Sequence, residues 1–282
     1  MKKSTKRLIA AGAAAGAAAA LCAAAVENLV SYTSRRHGRA YERAAERRRE
    51  RREEDRPDAA ALREAREWLR SQPLEQVQIT SVDGLRLEGH FLPHPEAKRA
   101  ALLLHGWRDR WDTNLGAMAR ALYAQGTSVL LAEQRACGES EGSYIGFGVL
   151  ERFDCQRWAE YLAERLGPET PLYLGGVSMG ASTVLMAAAL PLPASVHGLI
   201  ADCGFTSPRA ILASVLHART HLPERPLLPL ASRVSRCRAG FGYEECSTID
   251  ALRGNRIPVL FLHGDADTFV PLAMTLENYL AC

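Results

Sequence analysis

The chain has 282 residues and a net charge of +3, and 47% of its residues are hydrophobic and 24% charged. These are values of an ordinary globular protein, and they exclude a disordered or fibrous chain. The excess of Lys and Arg lies in residues 1–56, and no pattern of basic and aromatic residues recurs after them. The composition therefore indicates no nucleic-acid partner, and the length fits one large domain with an extension.

Residues 1–30 are predicted to form a membrane anchor. The stretch from Leu8 to Val26 carries no charge and is 19 residues long, within the roughly 17–25 residues that cross a bilayer as a helix. We therefore expect a single N-terminal helix that contacts the membrane through residues 8–30, on a side that the sequence leaves open. A cleaved signal peptide is the alternative, because Ala23–Ala25 offers small residues for cleavage.

Residues 31–73 are predicted to form a charged helical stalk. Arg and Glu dominate its first half, and like charges meet four residues apart, as Glu46 and Glu50 do. This pattern is typical of a solvated helix and not of an optimised ladder of ion pairs. Pro57 ends this helix, and Ala59–Arg70 is predicted as a second, short helix.

Residues 74–282 are predicted to form one α/β domain. A hairpin turn at Asp83-Gly84 is followed by apolar runs that alternate with helix-like stretches, which predicts a mostly parallel central sheet with helices on both faces. An insertion at about residues 204–256 interrupts this alternation, and we expect it to form a helical lid over the carboxyl ends of the strands. The apolar runs are RAALLLHG, TSVLLAEQ, PLYLGGVS, VHGLIADCG and IPVLFLHG.

Ser178 is the candidate nucleophile. It lies in the stretch Gly-Val-Ser-Met-Gly, between the predicted strand at Leu172–Leu174 and an alanine-rich helix. Glycines on either side permit the sharp strand-to-helix turn that exposes a serine hydroxyl, and the N-terminus of the helix favours negative charge at that point.

Two further loops should meet this serine at the carboxyl edge of the sheet. After the strand LLLHGW, the amide of Trp107 is predicted to form an oxyanion hole together with the amide of Met179. After the strand VLFLH come Asp265 and Asp267, and we favour Asp267 as the acid that orients a catalytic base, with Asp265 closing the turn. His105 is expected to hold its own turn.

The chain from about Val77 resembles the α/β-hydrolase superfamily, and within it bacterial serine hydrolases of the lysophospholipase or serine-aminopeptidase type. Such a resemblance implies cleavage of an ester, thioester or amide through an acyl-enzyme, with no cofactor and no metal. We expect a small ester-type substrate of hydrophobic character. The segments that carry the resemblance are Leu104–Trp107, Gln134–Ser140, Gly176–Gly180, Ala201–Ser207 and His263–Asp267 with Val270-Pro271.

The resemblance also implies a histidine base after the acid, on a loop that follows one more strand. No histidine follows Asp267 in this sequence. We therefore expect a hydrolase that is truncated at its C-terminus, with the last strand and helix of the family fold missing and the strand at 257–263 left as an open edge. The alternative is a hydrolase-like binding protein with impaired catalysis. His217 and His221 of the insertion remain candidate substitute bases.

Seven cysteines complete the inventory of reactive side chains. Their odd number and their spacing fit neither a disulfide framework nor a zinc site, so we expect small apolar side chains in a reducing setting. They are Cys22, Cys137, Cys155, Cys203, Cys237, Cys246 and Cys282.

Overall fold

The computed structural model describes residues 3–38, 41, 44, 47, 57–220 and 223–282. Its sheet begins with the expected hairpin, in which strand β1 (Glu75–Thr80) pairs antiparallel with β2 (Arg86–Leu92) across the turn at Gly84. The other strands are β3 (Arg99–Leu104), β4 (Thr127–Ala132), β5 (Leu172–Val177), β6 (Val196–Asp202) and β7 (Val259–Leu262). Strands β3 to β7 are all parallel, in the sheet order β1-β2-β4-β3-β5-β6-β7.

The described helices, numbered in chain order, cover both faces of this sheet. Strand β3 shows the arrangement, because Leu102 packs into one apolar core and its neighbour Leu103 into another on the opposite face. The helices are α1 (Lys3–Thr33), α2 (Ala59–Ser71), α3 (Gly116–Tyr123), α4 (Glu151–Leu166), α5 (Met179–Ala187), α6 (Pro208–Thr220), α7 (Glu224–Ala239), α8 (Thr248–Leu252) and α9 (Leu272–Ala281). The α/β fold class is confirmed.

The two cores use different helices. Helices α4 and α5 supply Trp158, Leu162 and Leu185 to the first core, whereas α2 and α3 supply Leu69 and Ala119 to the second. All five side chains are fully or almost fully buried. Burying a large apolar side chain stabilises the fold by about 1.5–3 kcal/mol, so these helices hold the sheet rigidly beneath the loops that follow its strands.

The prediction of a membrane anchor in residues 1–30 is wrong. Within the part of the chain that the structure describes, no helix has both the length and the apolar character that crossing a bilayer requires. The stretch between Leu8 and Val26 consists mainly of alanine and glycine, which bury little apolar surface per residue. The C-terminal end of α1 packs on the domain instead, with Val26 and Val30 buried.

The predicted stalk, residues 31–73, lies partly outside the described residues, which include only 41, 44 and 47 between 39 and 56. Its two described ends contact the domain. Helix α2 packs on α3 and buries Leu69 in the second core. At the other end, the amide of Ile145 donates a hydrogen bond of 2.6 Å to the carbonyl of Ser34.

The insertion at about 204–256 contains the helices α6, α7 and α8. Helix α7 packs against both α6 and α1. Between them lies a third apolar cluster, which includes Phe205, Leu212 and Leu228 and also Met179 at the start of α5. This cluster, called the cap cluster below, therefore adjoins the turn that carries Ser178.

Strand β7 ends the sheet on the side away from the hairpin. No described strand pairs with its outer edge, and Leu260 and Leu262 are exposed on one face. Helix α9 beside it exposes Leu276 and Leu280. The expected open edge is thus present among the described residues, whereas a missing strand and helix beyond it stay a prediction.

Candidate functional site

Ser178 occupies a strained turn between β5 and α5. Its backbone has φ 55° and ψ −115°, a region that costs a residue with a side chain on the order of 1–3 kcal/mol. Two hydrogen bonds hold this conformation: the Ser178 amide donates to the carbonyl of Asp202 at 2.7 Å, and the Ser182 amide donates to the carbonyl of Ser178 at 3.0 Å. The residue is partly exposed at the carboxyl edge of the sheet.

The two glycines of this turn are required by close backbone contacts. A Cβ on Gly180 would lie 2.1 Å from the carbonyl oxygen of Leu104, and a Cβ on Gly176 would lie 2.3 Å from the carbonyl carbon of Gly180. Helix α5 therefore starts in direct backbone contact with the end of β3. This contact brings the loop after β3 next to Ser178.

The loop after β3 begins with His105, whose side chain is buried. Its Nδ1 lies 2.8 Å from the carbonyl oxygen of Gly106, and its Nε2 accepts a hydrogen bond of 3.1 Å from the amide of Gln134. The carbonyl can only accept, so Nδ1 carries the proton in this arrangement. Both ring nitrogens are committed to the turn, which leaves no nitrogen for a proton from Ser178.

Gly106 and Trp107 continue this loop beside the serine. A Cβ on Gly106 would lie 3.6 Å from the Cβ of Ser178. In the described part of the chain, neither the amide of Trp107 nor that of Met179 donates to a backbone carbonyl. The loop after β3 and the N-terminus of α5, which adjoin Ser178, thus each carry an amide that has no backbone acceptor among the described residues.

Asp267 lies in the loop after β7. Its Oδ1 accepts hydrogen bonds from the amides of Phe269 at 2.7 Å and Val270 at 3.0 Å. Its Oδ2 is 3.7 Å from Nε2 of His263, and Asp265 is exposed. The contacts that close the turn belong to Asp267, whereas the sequence assigned them to Asp265.

His263 at the end of β7 is also committed to its surroundings. Only 2% of its side chain is exposed. Its Nε2 lies 2.9 Å from the carbonyl oxygen of Val270, and its Nδ1 lies 2.7 Å from the hydroxyl of Thr275. Because the carbonyl needs a donor, Nε2 carries a proton in this arrangement, and the contact of Nδ1 with Thr275 fixes the other side of the ring.

Strand β6 connects the serine turn to the loop of Asp267. The Asp202 carbonyl accepts from Ser178, and the next amide, of Cys203, donates to Leu262 of β7 at 2.8 Å. Burial raises the pKa of the Asp202 carboxyl. Burial also raises the pKa of the Cys203 thiol to about 12, so this cysteine is a thiol at neutral pH and not a competing nucleophile.

The other histidines lie on separate parts of the structure. His90 stacks on Trp111 with ring centroids 4.0 Å apart, and His94 contacts Tyr123 edge-on. His197 and His217 are exposed, and His221 lies outside the described residues. His37, after α1, lies near Tyr41 with ring centroids 4.0 Å apart, and its Nε2 is buried without a hydrogen-bond partner among the described residues. His105 and His263, which directly follow β3 and β7, are both held in their own turns.

Sequence reasoning missed one contribution to this edge of the sheet, which comes from the end of α1. The indole Nε1 of Trp107 donates a hydrogen bond of 2.8 Å to the carbonyl oxygen of Thr33. The side chain of Tyr32 contacts the Trp107 ring, with centroids 5.9 Å apart. The spacing of Val26 and Val30, four residues apart, was the only signal of this packing.

Glu133, directly after β4, supports the loop that follows it. Its carboxylate accepts a hydrogen bond of 2.5 Å from the amide of Glu139 and fills the space where a Cβ of Gly138 would lie. Burial raises the pKa of Glu133 to about 7, and the amide of Glu139 opposes this rise only in part.

This pKa predicts that stability falls as pH rises. Between the ordinary value of 4.5 and about 7, the folded chain keeps a proton on Glu133 that the unfolded chain releases, so folding is disfavoured progressively across this window. Between pH 5 and 8 the native protein should lose about 2 kcal/mol more unfolding free energy than Glu133→Gln. Urea unfolding at both pH values measures this difference. The exposed control Glu169→Gln should follow the native protein, and equal losses in Glu133→Gln would contradict the prediction.

A parallel sheet entered through an antiparallel hairpin, with a serine in a strained turn after β5, defines an α/β hydrolase-like chain. Comparison with known proteins agrees. The sequence model of the alpha/beta hydrolase fold matches residues 101–231. The uncharacterized protein YqkD of Bacillus subtilis (strain 168) is 30% identical over 202 residues, which cover 71% of this chain and 66% of YqkD, just under two thirds of its length. The chain has the α/β-hydrolase fold.

Solved structures show the same fold. The esterase Pf2001 of Pyrococcus furiosus has a TM-score of 0.61 and 21% identity, covering 75% of this chain and 78% of its own. Est1E of Butyrivibrio proteoclasticus, solved with ferulic acid bound, has a TM-score of 0.57 and 20% identity, covering 73% of this chain and 85% of its own. At this level of identity, these likenesses show the fold that the chain shares with both esterases.

Proposed function

We propose that the chain is a serine hydrolase that cleaves carboxylic esters through an acyl-enzyme. The observation that carries this proposal is the turn at Ser178, where a partly exposed serine is held at φ 55° near the amides of Trp107 and Met179, which donate to no backbone carbonyl of the described residues. A residue kept in such a strained conformation is typical of a functional site.

The chemistry follows from this arrangement. The Ser178 hydroxyl attacks the carbonyl carbon of the ester and gives its proton to a base, while the amides of Trp107 and Met179 donate to the oxygen that becomes negatively charged. Collapse of the tetrahedral intermediate expels the alcohol, which takes up that proton, and leaves an acyl group on Ser178. Water then attacks the acyl-enzyme by the same route and releases the acid. No cofactor takes part in these steps.

Asp267 is proposed to orient the base. Its Oδ1 is fixed by two amides, and its Oδ2 is its less constrained oxygen. His105 and His263 are committed to their turns, so neither is proposed as the base. His221 of the insertion is one candidate for that role. Without a base Ser178 remains a weak nucleophile, and the chain would be a binding protein on the same fold.

The cap cluster favours a hydrophobic substrate. Met179, whose amide is a proposed oxyanion donor, packs with Phe147, Phe205 and Leu212 among the apolar side chains beside the serine turn. An ester with an apolar acyl or alcohol group would gain about 0.8 kcal/mol for each methylene that it buries there. Hydrolysis of 4-nitrophenyl esters should therefore rise in kcat/KM as the acyl chain lengthens.

Labelling with a fluorophosphonate tests the proposal. We expect mass spectrometry to find the label on Ser178, and Ser178→Ala to lower the labelling rate about a thousandfold or more, since the nucleophile is removed. The exposed control Ser71→Ala should label like the native chain. Loss of labelling in His221→Ala would identify that histidine as the base. A folded native chain that takes no label would support the binding protein instead.

A further inference from the structure

The loop of Trp107 forms the cap of the C-terminus of α1. The last carbonyls of a helix have no amide donor within the helix, and the helix dipole makes them partly negative. Here the Trp107 indole donates to the carbonyl of Thr33, and the Arg108 guanidinium donates to the carbonyls of Tyr32 at 2.8 Å and Arg35 at 2.7 Å. The loop after β3 and the end of α1 therefore satisfy each other's polar groups.

Apolar contacts hold the same end of α1 in place. Val26 and Val30 are 4% and 1% exposed and pack in the cap cluster, which also contains Met179. Glu27 on the adjacent turn pairs with Arg238 of α7. The end of α1 thus contacts the loop of Trp107 directly and shares one apolar cluster with Met179.

The segment after α1 extends this contact to a second loop. The amide of Ile145 donates to the carbonyl of Ser34, and the amide of Arg36 donates to the carbonyl of Ser143 at 2.8 Å. The Arg36 guanidinium donates to the carbonyl of Ser140 at 2.6 Å. Residues 26–36, called the strap below, therefore join the loop after β3 to the loop that follows β4.

We propose that the strap is a positioning element for the oxyanion site, and that its docking holds the amide of Trp107 in the orientation that the reaction needs. This inference rests on the proposed function of that amide. Displacement of a catalytic group by about 1 Å can cost a hundredfold in rate, whereas substrate binding to the cap cluster depends less on one amide. Release of the strap should therefore lower kcat with little change in KM.

Three variants separate docking of the strap from general stability. Val30→Asp places a charge among apolar side chains and should release the strap. Trp107→Phe keeps the backbone amide and an aromatic ring but removes the bond to Thr33. Leu21→Asp is the matched control, because Leu21 lies on the same helix and is 73% exposed.

Hydrogen exchange of the peptide that covers residues 103–112 measures the coupling directly, in the full chain and without any substrate. We expect exchange to rise at least tenfold in Val30→Asp and in Trp107→Phe and to stay unchanged in Leu21→Asp. Fluorophosphonate labelling of Ser178 should slow about tenfold in the first two variants. Trp107→Phe keeps the readout available if Val30→Asp does not fold.

Each result decides one point. Unchanged exchange in Trp107→Phe, or faster exchange that arises only through global unfolding, overturns the inference. Faster exchange with an unchanged labelling rate also overturns it, because the strap would then fix the loop without affecting the reaction. Faster exchange in a protein whose native form takes no label supports the coupling and overturns the proposed function.

Discussion

Replacing Gly180 with alanine should lower the free energy of unfolding by about 3 kcal/mol, the upper end of the usual cost of overpacking. The added Cβ would meet three backbone atoms: the carbonyl oxygen and carbon of Leu104, at 2.1 and 2.6 Å, and the carbonyl oxygen of His105, at 2.8 Å. None of them can move without shifting the end of β3. Urea unfolding measures the loss.

The control for this prediction is Gly254→Ala, since a Cβ on Gly254 would have no neighbour within 4 Å. This variant should unfold within about 0.5 kcal/mol of the native chain. If Gly180→Ala were equally stable, the close approach of α5 to β3 would not exist as described. The loop of Trp107 would then lack its tight connection to Ser178.

Arg135→Met should destabilise the chain by about 3–5 kcal/mol, the usual cost of leaving one partner of a buried ion pair behind. The side chains of Arg135 and Asp154 are 3% and 5% exposed. The guanidinium binds both carboxylate oxygens, at 2.6 and 2.7 Å, and also contacts Asp83 in the hairpin turn. Its removal leaves the Asp154 carboxylate buried without its counter-charge.

Two further variants test whether the cost comes from the stranded charge. Arg135→Met combined with Asp154→Leu should recover most of the loss, because no buried charge remains. Arg253→Met removes an exposed pair with Asp250 and should cost less than about 1 kcal/mol. A double variant as unstable as Arg135→Met would contradict this explanation. Thermal and urea unfolding of the four proteins provide the comparison.

The order of strands and helices could be predicted because each buried strand is a short apolar run that ends at a turn residue. The alanine-rich helix that the sequence predicts after Ser178 is α5, which begins at Met179. The start of α5 is well defined because the sharp turn brings backbone atoms so close to positions 176 and 180 that only glycine fits there. Local sequence thus specifies where the elements around Ser178 begin.

The place of α1 could not be predicted in this way. The uncharged run of alanine and glycine is long enough for a membrane-spanning helix. Its side chains are so small, however, that the run is only weakly apolar, and this does not determine whether the helix enters a membrane or packs on the domain. The decisive contacts involve Val26, Val30 and the carbonyls of residues 32–35, which bind Trp107 and Arg108 more than 70 positions later in the chain. Every residue has a backbone carbonyl, so the sequence does not show which carbonyls accept these hydrogen bonds.

The sequence also could not determine which of the two aspartates after β7, Asp265 or Asp267, closes the turn. Asp265 and Asp267 both follow the strand, and either carboxylate could accept amides of the turn. The structure gives that contact to Asp267, with Phe269 and Val270 as donors. A carboxylate held by two amides is fixed in direction, so the turn contact and the proposed orienting role belong to the same residue.

The backbone conformation of Ser178 affects which residue related genes are expected to keep at this position. Glycine would occupy the same φ and ψ with far less steric strain. If related genes were selected only for protein stability, substitution of this serine by glycine would therefore be favoured. Serine at this position persists only where the hydroxyl is itself under selection, so the residue found at 178 in related genes reports on function independently of any assay.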